Sequence, residues 1–339
     1  MKRTEAIQCV LGGESIRSSA RRFGVPESTL RGWLKGVEKK KAFEICSSGR
    51  REEEPIQTLL ERRLTEWKKV SKEEDRSFLI PVHLPLKGPY GIMFFGDLHL
   101  DDPGCNLPLL QKHVALCKAH YPDVIADQVG DINNCWIGKL SSLWSEQEMT
   151  GSDAWRLAQW FFNELKEQLF LVVKGNHDLW AANVNNTNPI DWIRDVNGFE
   201  SQVWGARVEL TTKDSDPLII NARHDFHGTS SQDPAYGPAK AAMNGWRDDI
   251  LVCGHTHNSG YRMVLDPATK KVSHAFRVAS YKHIDAFAQE RGYLPGNIFE
   301  CPMVIHDPDE EDDRYRCIFI PNPIQGVEIL KTIREKRGY

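Results

Sequence analysis

Five apolar runs in this chain end in His, Asp or Asn, and no other feature narrows the choice of fold so far. Gly91-Ile92-Met93-Phe94-Phe95 runs into Gly96-Asp97-Leu98-His99, and Asp123-Val124-Ile125-Ala126 leads to Gly130-Asp131-Ile132-Asn133-Asn134. Leu169-Phe170-Leu171-Val172-Val173 leads to Gly175-Asn176-His177-Asp178, Leu218-Ile219-Ile220 to Arg223-His224-Asp225, and Ile250-Leu251-Val252 to Gly254-His255-Thr256-His257. From about Ser77 onward such short runs alternate with helical patterns, which reads as an α/β or α+β domain. Strand ends gather on one edge of such a fold, and ligand sites form there. In extended backbone, residues i and i+2 share a side, so Asp97 with His99, and His255 with His257, are expected to aim two groups at one centre. The glycine ahead of four of the five clusters permits a sharp turn or a close backbone approach. Mixed imidazole and carboxylate donors suit Mn, Fe, Zn or Ni better than Ca or Mg alone. Six or seven such donors exceed the needs of one ion and point to two.

The order D-x-H, G-D-x-x-(D/N), G-N-H-(D/E), a lone His and G-H-x-H resembles the calcineurin-like metallophosphoesterases, over about Gly91 to Ser280. The resemblance implies an α/β (α+β) fold, a four-layer αββα sandwich of two mixed sheets. It implies two divalent ions, Mn2+ foremost, with Fe, Zn, Ni or Mg as alternatives. By position, Asp97, His99 and His257 would hold the first ion, Asn176, His224 and His255 the second, and Asp131 would bridge both. The pair would supply an activated water or hydroxide and neutralise phosphate charge. His177 would protonate the leaving oxygen or stabilise the phosphate oxygens, and Asp178 would orient His177 and fix its tautomer.

The chain departs from the family pattern in places. Where many members carry an Arg after the second motif, this chain has Cys135. Asn134 stands where Asp is common and is expected to offer the substrate a neutral hydrogen bond. The fourth motif is usually His-Gly, and both His224 and His227-Gly228 are available; His224 is preferred because it follows its strand without a gap. The flanking text (DLHLDDPG, RHDF) further resembles phage-encoded members with helix-turn-helix heads.

The amino-terminal residues differ from the rest in charge. Residues 1–50 contain 11 Lys and Arg against 5 Asp and Glu, and the rest of the chain 32 against 42. A small basic head on an acidic body is the asymmetry expected of a head that meets a polyanion. Helices are expected from about Thr4 to Leu11, Glu14 to Phe23 and Glu27 to Lys35, with Gly24-Val25-Pro26 as the turn between the last two. This is a helix-turn-helix outline, similar to the DNA-binding heads of transposases and site-specific recombinases. In such a unit Ser28, Thr29, Arg31 and Lys35 lie on the recognition helix and face DNA. Lys39-Lys40-Lys41 and Ser47-Ser48-Gly49 read as a tether. Ile56, Leu60, Leu64 and Trp67 then mark an amphipathic helix that either docks on the body or pairs with another copy.

The expected division is therefore 1–36 helix-turn-helix domain, 37–76 tether and linker helix, and 77–339 catalytic domain. No run approaches the roughly 18 apolar residues that span a bilayer, and the first residues lack an apolar signal-peptide core. Eight scattered cysteines without a CxxC spacing suit free thiols in a reducing compartment. The expectation is a cytoplasmic protein, in the host cytoplasm if phage-encoded. Its partners are expected to be DNA and a phosphate-ester substrate, with no membrane and with a homodimer as one possible state. Trp155 to Phe162 reads as a helix packed on a sheet, and Trp136 as a candidate for stacking on a base. The favoured function is a DNA-directed nuclease or phosphodiesterase. The alternatives are a phosphatase or cyclic-nucleotide phosphodiesterase whose head serves only localisation, and a DNA-binding regulator with an inactive body.

Overall fold

Alternation along the central strands settles how the layers stack. In β2 (Tyr90–Phe95) the side chains of Tyr90, Ile92 and Phe94 join one apolar cluster, while Met93 and Phe95 join another, as a strand buried on both faces requires. The computed structural model describes residues 2–35, 37, 54–76, 79–185, 188–213, 216–284, 292 and 298–339. It falls into two compact units, Met1–Glu66 and Trp67–Tyr339. The tether expected around Lys39-Lys40-Lys41 and Ser47-Ser48-Gly49 lies outside the described residues.

The first unit contains α1 (Lys2–Leu11), α2 (Ile16–Phe23) and α3 (Glu27–Leu34). Ala6, Ala20 and Leu30 form its buried centre, with Val10, Ile16, Phe23, Val25, Trp33 and Leu34 packed around them. Ser15 caps α2 by accepting the amide of Ser18 at 3.1 Å. At the other end Gly24 adopts φ 63°, and its amide closes on the carbonyls of Ala20 and Arg21. That left-handed C-cap suits glycine and makes the turn into α3. A longer helix, α4 (Ile56–Arg76), follows. Its Ile56, Leu60, Leu64 and Trp67 are 50–69% exposed.

In the second unit one sheet has the order β12-β11-β2-β3-β4-β5. It comprises β2, β3 (Val124–Gln128), β4 (Leu169–Lys174) and β5 (Glu200–Val203) in parallel, with β11 (Met303–His306) antiparallel to β2 and β12 (Cys317–Ile320) antiparallel to β11. The other has the order β1-β6-β7-β8-β10-β9. It contains β1 (Ile80–His83), β6 (Gly205–Thr211), β7 (Leu218–Arg223), β8 (Ile250–Cys253), β9 (Gly260–Leu265) and β10 (Val272–Arg277). Both sheets are mixed. Ile92, Phe94, Leu171 and Val173 meet Val208, Ile220, Ile250, Val252 and Phe276 between them.

Helices cover the outer faces. Phe95 and Val172 pack with Leu110 of α5 (Leu107–Ala119), Phe161 and Phe162 of α6 (Gly151–Glu164), Ile190 of α8 (Pro189–Asn197) and Leu330 of α10 (Pro323–Arg337). On the far side Leu251, Cys253 and Ala275 pack with Ala239 and Ala242 of α9 (Tyr236–Met243). The result is the expected αββα sandwich, preceded by a helical unit. α7 (Asn176–Asn185) begins directly after β4 and so brings its first residues to the strand edge. Among the described residues no helix is long and apolar enough to cross a membrane, and seven cysteines are free thiols.

Candidate metal centre

The polar clusters leave the ends of β2, β3, β4, β7 and β8 together on one edge of the sandwich. The backbone there is not extended, so the alternation argument for Asp97/His99 and His255/His257 needs correcting. Asp97, His99, Asp131, His255 and His257 have φ of 46°, 44°, 55°, 75° and 59°. Left-handed backbone in non-glycine residues costs on the order of 1–3 kcal/mol each and persists where its surroundings enforce it. Here the Asp97 amide bonds the Gly130 carbonyl at 3.0 Å, the His99 amide that of Asp131 at 3.2 Å, and the His255 amide the Asp97 carboxylate at 2.8 Å. The turns curl the chain around a common centre, where extended backbone would carry it past. Glycine serves a steric purpose: a Cβ on Gly175 would collide with the Asp131 carboxylate and the His224 ring, and one on Gly254 with the Asp97 carboxylate.

Two groups of donors converge, Asp97 with His99 and His257, and Asp131 with His224 and His255, the atoms of each lying within 4.8 Å of one another. His99 Nε2 stands 3.1 Å from His257 Nε2. His224 Nε2 stands 2.9 Å from Asn176 Oδ1, 3.1 Å from His255 Nδ1 and 3.2 Å from Asp131 Oδ2. A third group, His99, Asp131 and His177, links them, so Asp131 touches both halves. Of the two fourth-motif candidates, the structure brings His224 into the cluster, while His227 is exposed and belongs to none.

The electrostatics fit a cationic occupant. Asp97 is fully buried, its Oδ1 has no hydrogen-bond partner among the described residues, and burial pushes its carboxyl up to about 8. His99 is held well below the usual range by burial and by the neighbouring His257. Burial also opposes the charge on Asp131 and on His224, but their attraction wins, holding Asp131 low and raising His224 to about 10. Ring nitrogens turned toward one another, with an unpartnered carboxylate oxygen beside them, form a donor set suited to divalent ions.

Two supporting residues differ from expectation. Asp178 was expected to orient His177; instead its carboxylate accepts the amides of Asp131, Ile132 and Gly175 at 2.9–3.0 Å, clamping the loops after β3 and β4 together. The His177 ring is fixed by the Asn134 carbonyl, which accepts from Nδ1–H. That leaves Nε2 toward the site, 3.9 Å from Asp131 Oδ2. Burial lowers the His177 pKa, against the pull of Asp131. The Asn134 side chain is committed within the protein: its Oδ1 accepts from His99 Nδ1 at 2.7 Å and its Nδ2 donates to Asp102 at 3.0 Å. Such partners of a metal-binding imidazole set its orientation and tautomer. Cys135, which follows the second motif, is buried. A cation reaches the site from elsewhere, as Lys282 Nζ lies 2.9 Å from Asp102 and 5.7 Å from the Trp136 ring centroid. The sequence alone did not single out Asp102, Lys282, Gln147 or Trp180, although Asp102 stands in the DLHLDDPG text after the first motif and Trp180 two residues after the third.

In the head, Ser28 and Arg31 are exposed on α3 and Thr29 is half-buried, whereas Lys35, expected on that helix, is exposed just beyond its last residue, Leu34, as an extended C-cap. Arg17, Arg21 and Arg22 add exposed positive charge on α2.

Residues 2–41 match the family model of a helix-turn-helix domain. No curated protein matches the chain. Among solved structures it is similar to a predicted phosphoesterase of Streptococcus pneumoniae TIGR4, at 14% identity over 69% of this chain and 99% of that one, with a TM-score of 0.30. It is also similar to the calcineurin-like phosphoesterase YfkN of Bacillus subtilis, at 10% identity, 74% and 100% coverage and a TM-score of 0.33. A third is 5'-nucleotidase-like, from Staphylococcus aureus, at 12% identity, 73% and 58% coverage and a TM-score of 0.38. These are partial likenesses, and the functional reading rests on this chain's own residues.

Proposed function

We propose that the sandwich is a calcineurin-like metallophosphoesterase holding two divalent ions, Mn2+ foremost, and that with its head it acts on DNA as a phosphodiesterase or nuclease. The observation that carries this reading is the pair of donor groups linked by the third, in which His99 of one meets Asp131 of the other. Asp97, His99 and His257 would hold one ion, Asn176, His224 and His255 the other, with Asp131 between. When bound, such a pair lowers the pKa of water and neutralises charge on a phosphoryl group. The chain's own residues do the rest. Asn134 and Asp102 keep His99 in the tautomer that leaves Nε2 as a donor. His177, with Nδ1 tied to the Asn134 carbonyl, presents Nε2 toward the site, from which a protonated ring passes its proton to a leaving oxygen.

The preference for DNA follows from charge and tethering. The acidic body repels a polyanion, and a basic head raises the local concentration of nucleic acid without any new contact at the site. The test uses the Mn2+-loaded full chain with supercoiled plasmid, a chromogenic phosphodiester and a chromogenic monoester. Plasmid cleavage with diester turnover above monoester is expected. Hydrolysis of small esters with DNA untouched at low salt would leave a phosphatase or cyclic-nucleotide phosphodiesterase, and a metal-loaded protein inert on all three would leave a DNA-binding regulator.

A further inference from the structure

Beside the donor groups lies a pocket of about 560 Å³ whose floor carries His99, His177, His255 and His257. Its walls have a different character, with Trp136, Leu140, Leu143, Trp180 and Ile284 bordering it together with Lys282 and Gln147. The two indoles flank the His177 ring, at centroid distances of 5.3 Å for Trp136 and 4.2 Å for Trp180. Trp136 is held in place by its own carbonyl, which accepts from Trp144 Nε1 at 2.7 Å. Gln147 is the informative wall residue, because both atoms of its amide are buried and neither has a hydrogen-bond partner among the described residues.

Hydrolysing a phosphate ester requires nothing of this wall. We propose that the pocket is a nucleobase subsite, in which Trp136 and Trp180 stack on a base and the Gln147 amide pairs with its edge, beside the phosphate. The proposal rests on the phosphoesterase reading and narrows its substrate to a nucleotidyl ester. Planar indoles offer stacking to any base. An amide that both donates and accepts matches the adjacent donor and acceptor on a base edge. An alkyl or acyl chain would fill the same apolar space but leave that amide buried and unpaired, which is unfavourable. Lys282, which also lines the pocket, offers an ammonium group to a phosphate joined to the base.

Two esters with one leaving group test this: thymidine 5'-monophosphate p-nitrophenyl ester, which carries a base, and methyl p-nitrophenyl phosphate, which does not. With Mn2+-loaded full chain, the ratio of their kcat/KM values is expected to favour the thymidine ester by on the order of ten- to a hundredfold. That ratio should fall about tenfold in Trp136→Ala or Gln147→Leu and recover in Trp136→Phe, which keeps a stacking face. A ratio near one in the native protein, or one that survives Trp136→Ala and Trp180→Ala, overturns the subsite. If neither ester is cleaved, the phosphoesterase reading fails, and the pocket is judged by calorimetry. Heat of binding with thymidine 5'-monophosphate and none with 2-deoxyribose 5-phosphate would sustain the subsite; no heat with either would remove it.

Discussion

In the head three side chains, Ala6, Ala20 and Leu30, form the buried centre, and the residues expected to meet DNA, Ser28, Arg31 and Lys35, stand in solvent. In the sandwich the arrangement is inverted. The apolar clusters are large, and Asp97, His99, Asp131 and His224 are as buried as the core itself. A surface site asks little of its scaffold beyond a rigid helix, so a small core is sufficient. A buried polar site asks for loops held in unfavourable backbone by many contacts, which only a large core can enforce. The two units should therefore fail in different ways.

The largest expected separation comes from Asp131→Asn, which removes the carboxylate that belongs to the second donor group and, with His99 and His177, to the group linking it to the first. Turnover of a chromogenic diester should fall by on the order of 10³ or more, while retention of labelled DNA by the head in a gel-shift titration is unchanged. Equal losses in both assays would mean that the units do not divide the work.

The converse is Leu30→Ala. Truncating a buried leucine costs about 2–5 kcal/mol, and in a centre of three side chains that is enough to melt the helices. Gel-shift binding should disappear, and diester hydrolysis by the sandwich should persist. Binding that survives would show that the head draws stability from contacts other than this centre.

The residues that meet at the site were legible because each candidate ligand sits where an apolar run stops, and strand ends converge in a layered fold. The alternation of runs and helical text read only as an α/β or α+β domain, and the four-layer stacking came with the family resemblance that the order of motifs carries. Backbone geometry was not legible. Whether Asp97 or His257 turns left-handed depends on which carbonyl or carboxylate meets its amide, and those partners come from other loops. Asp178 was misread for the same reason: as a neighbour of His177 it suggested a local hydrogen bond, while its carboxylate bonds amides from two loops, 46 and 47 residues away in one of them. Gln147 and Lys282 belong to no motif, and only the fold brings them into the lining of the pocket.

Acid should distinguish the units next. The first 50 residues contain no histidine, whereas His274 of β10 is buried in the body, hydrogen-bonded to the Tyr261 hydroxyl at 2.9 Å. Burial lowers its pKa to about 4, from an unfolded value near 6.5. Below pH 6.5 the unfolded chain takes up a proton that the folded one refuses. Stability is therefore present above that pH, is lost as pH falls, and levels off below about 4. The shift corresponds to at most about 3 kcal/mol. Denaturant midpoints of the sandwich at pH 7.5 and 5 should differ, and the difference should shrink in His274→Gln. An unchanged pH dependence in that variant would assign the acid sensitivity to other groups.

The smallest effect tests whether the head's surface works by charge. Arg31 is exposed on α3, and an Arg that neutralises one phosphate releases about one counterion. The logarithm of DNA affinity then falls with the logarithm of salt concentration, with a slope near −0.9 per phosphate contacted. Arg31→Ala should therefore flatten the slope by about one unit and weaken binding evenly across sequences, if the contact is to phosphate. A contact to a base edge would instead relax preference at one position and leave the slope nearly as it was. The second outcome would bring the head closer to the sandwich in kind, since discrimination would then rest on the placement of a single side chain rather than on summed charge.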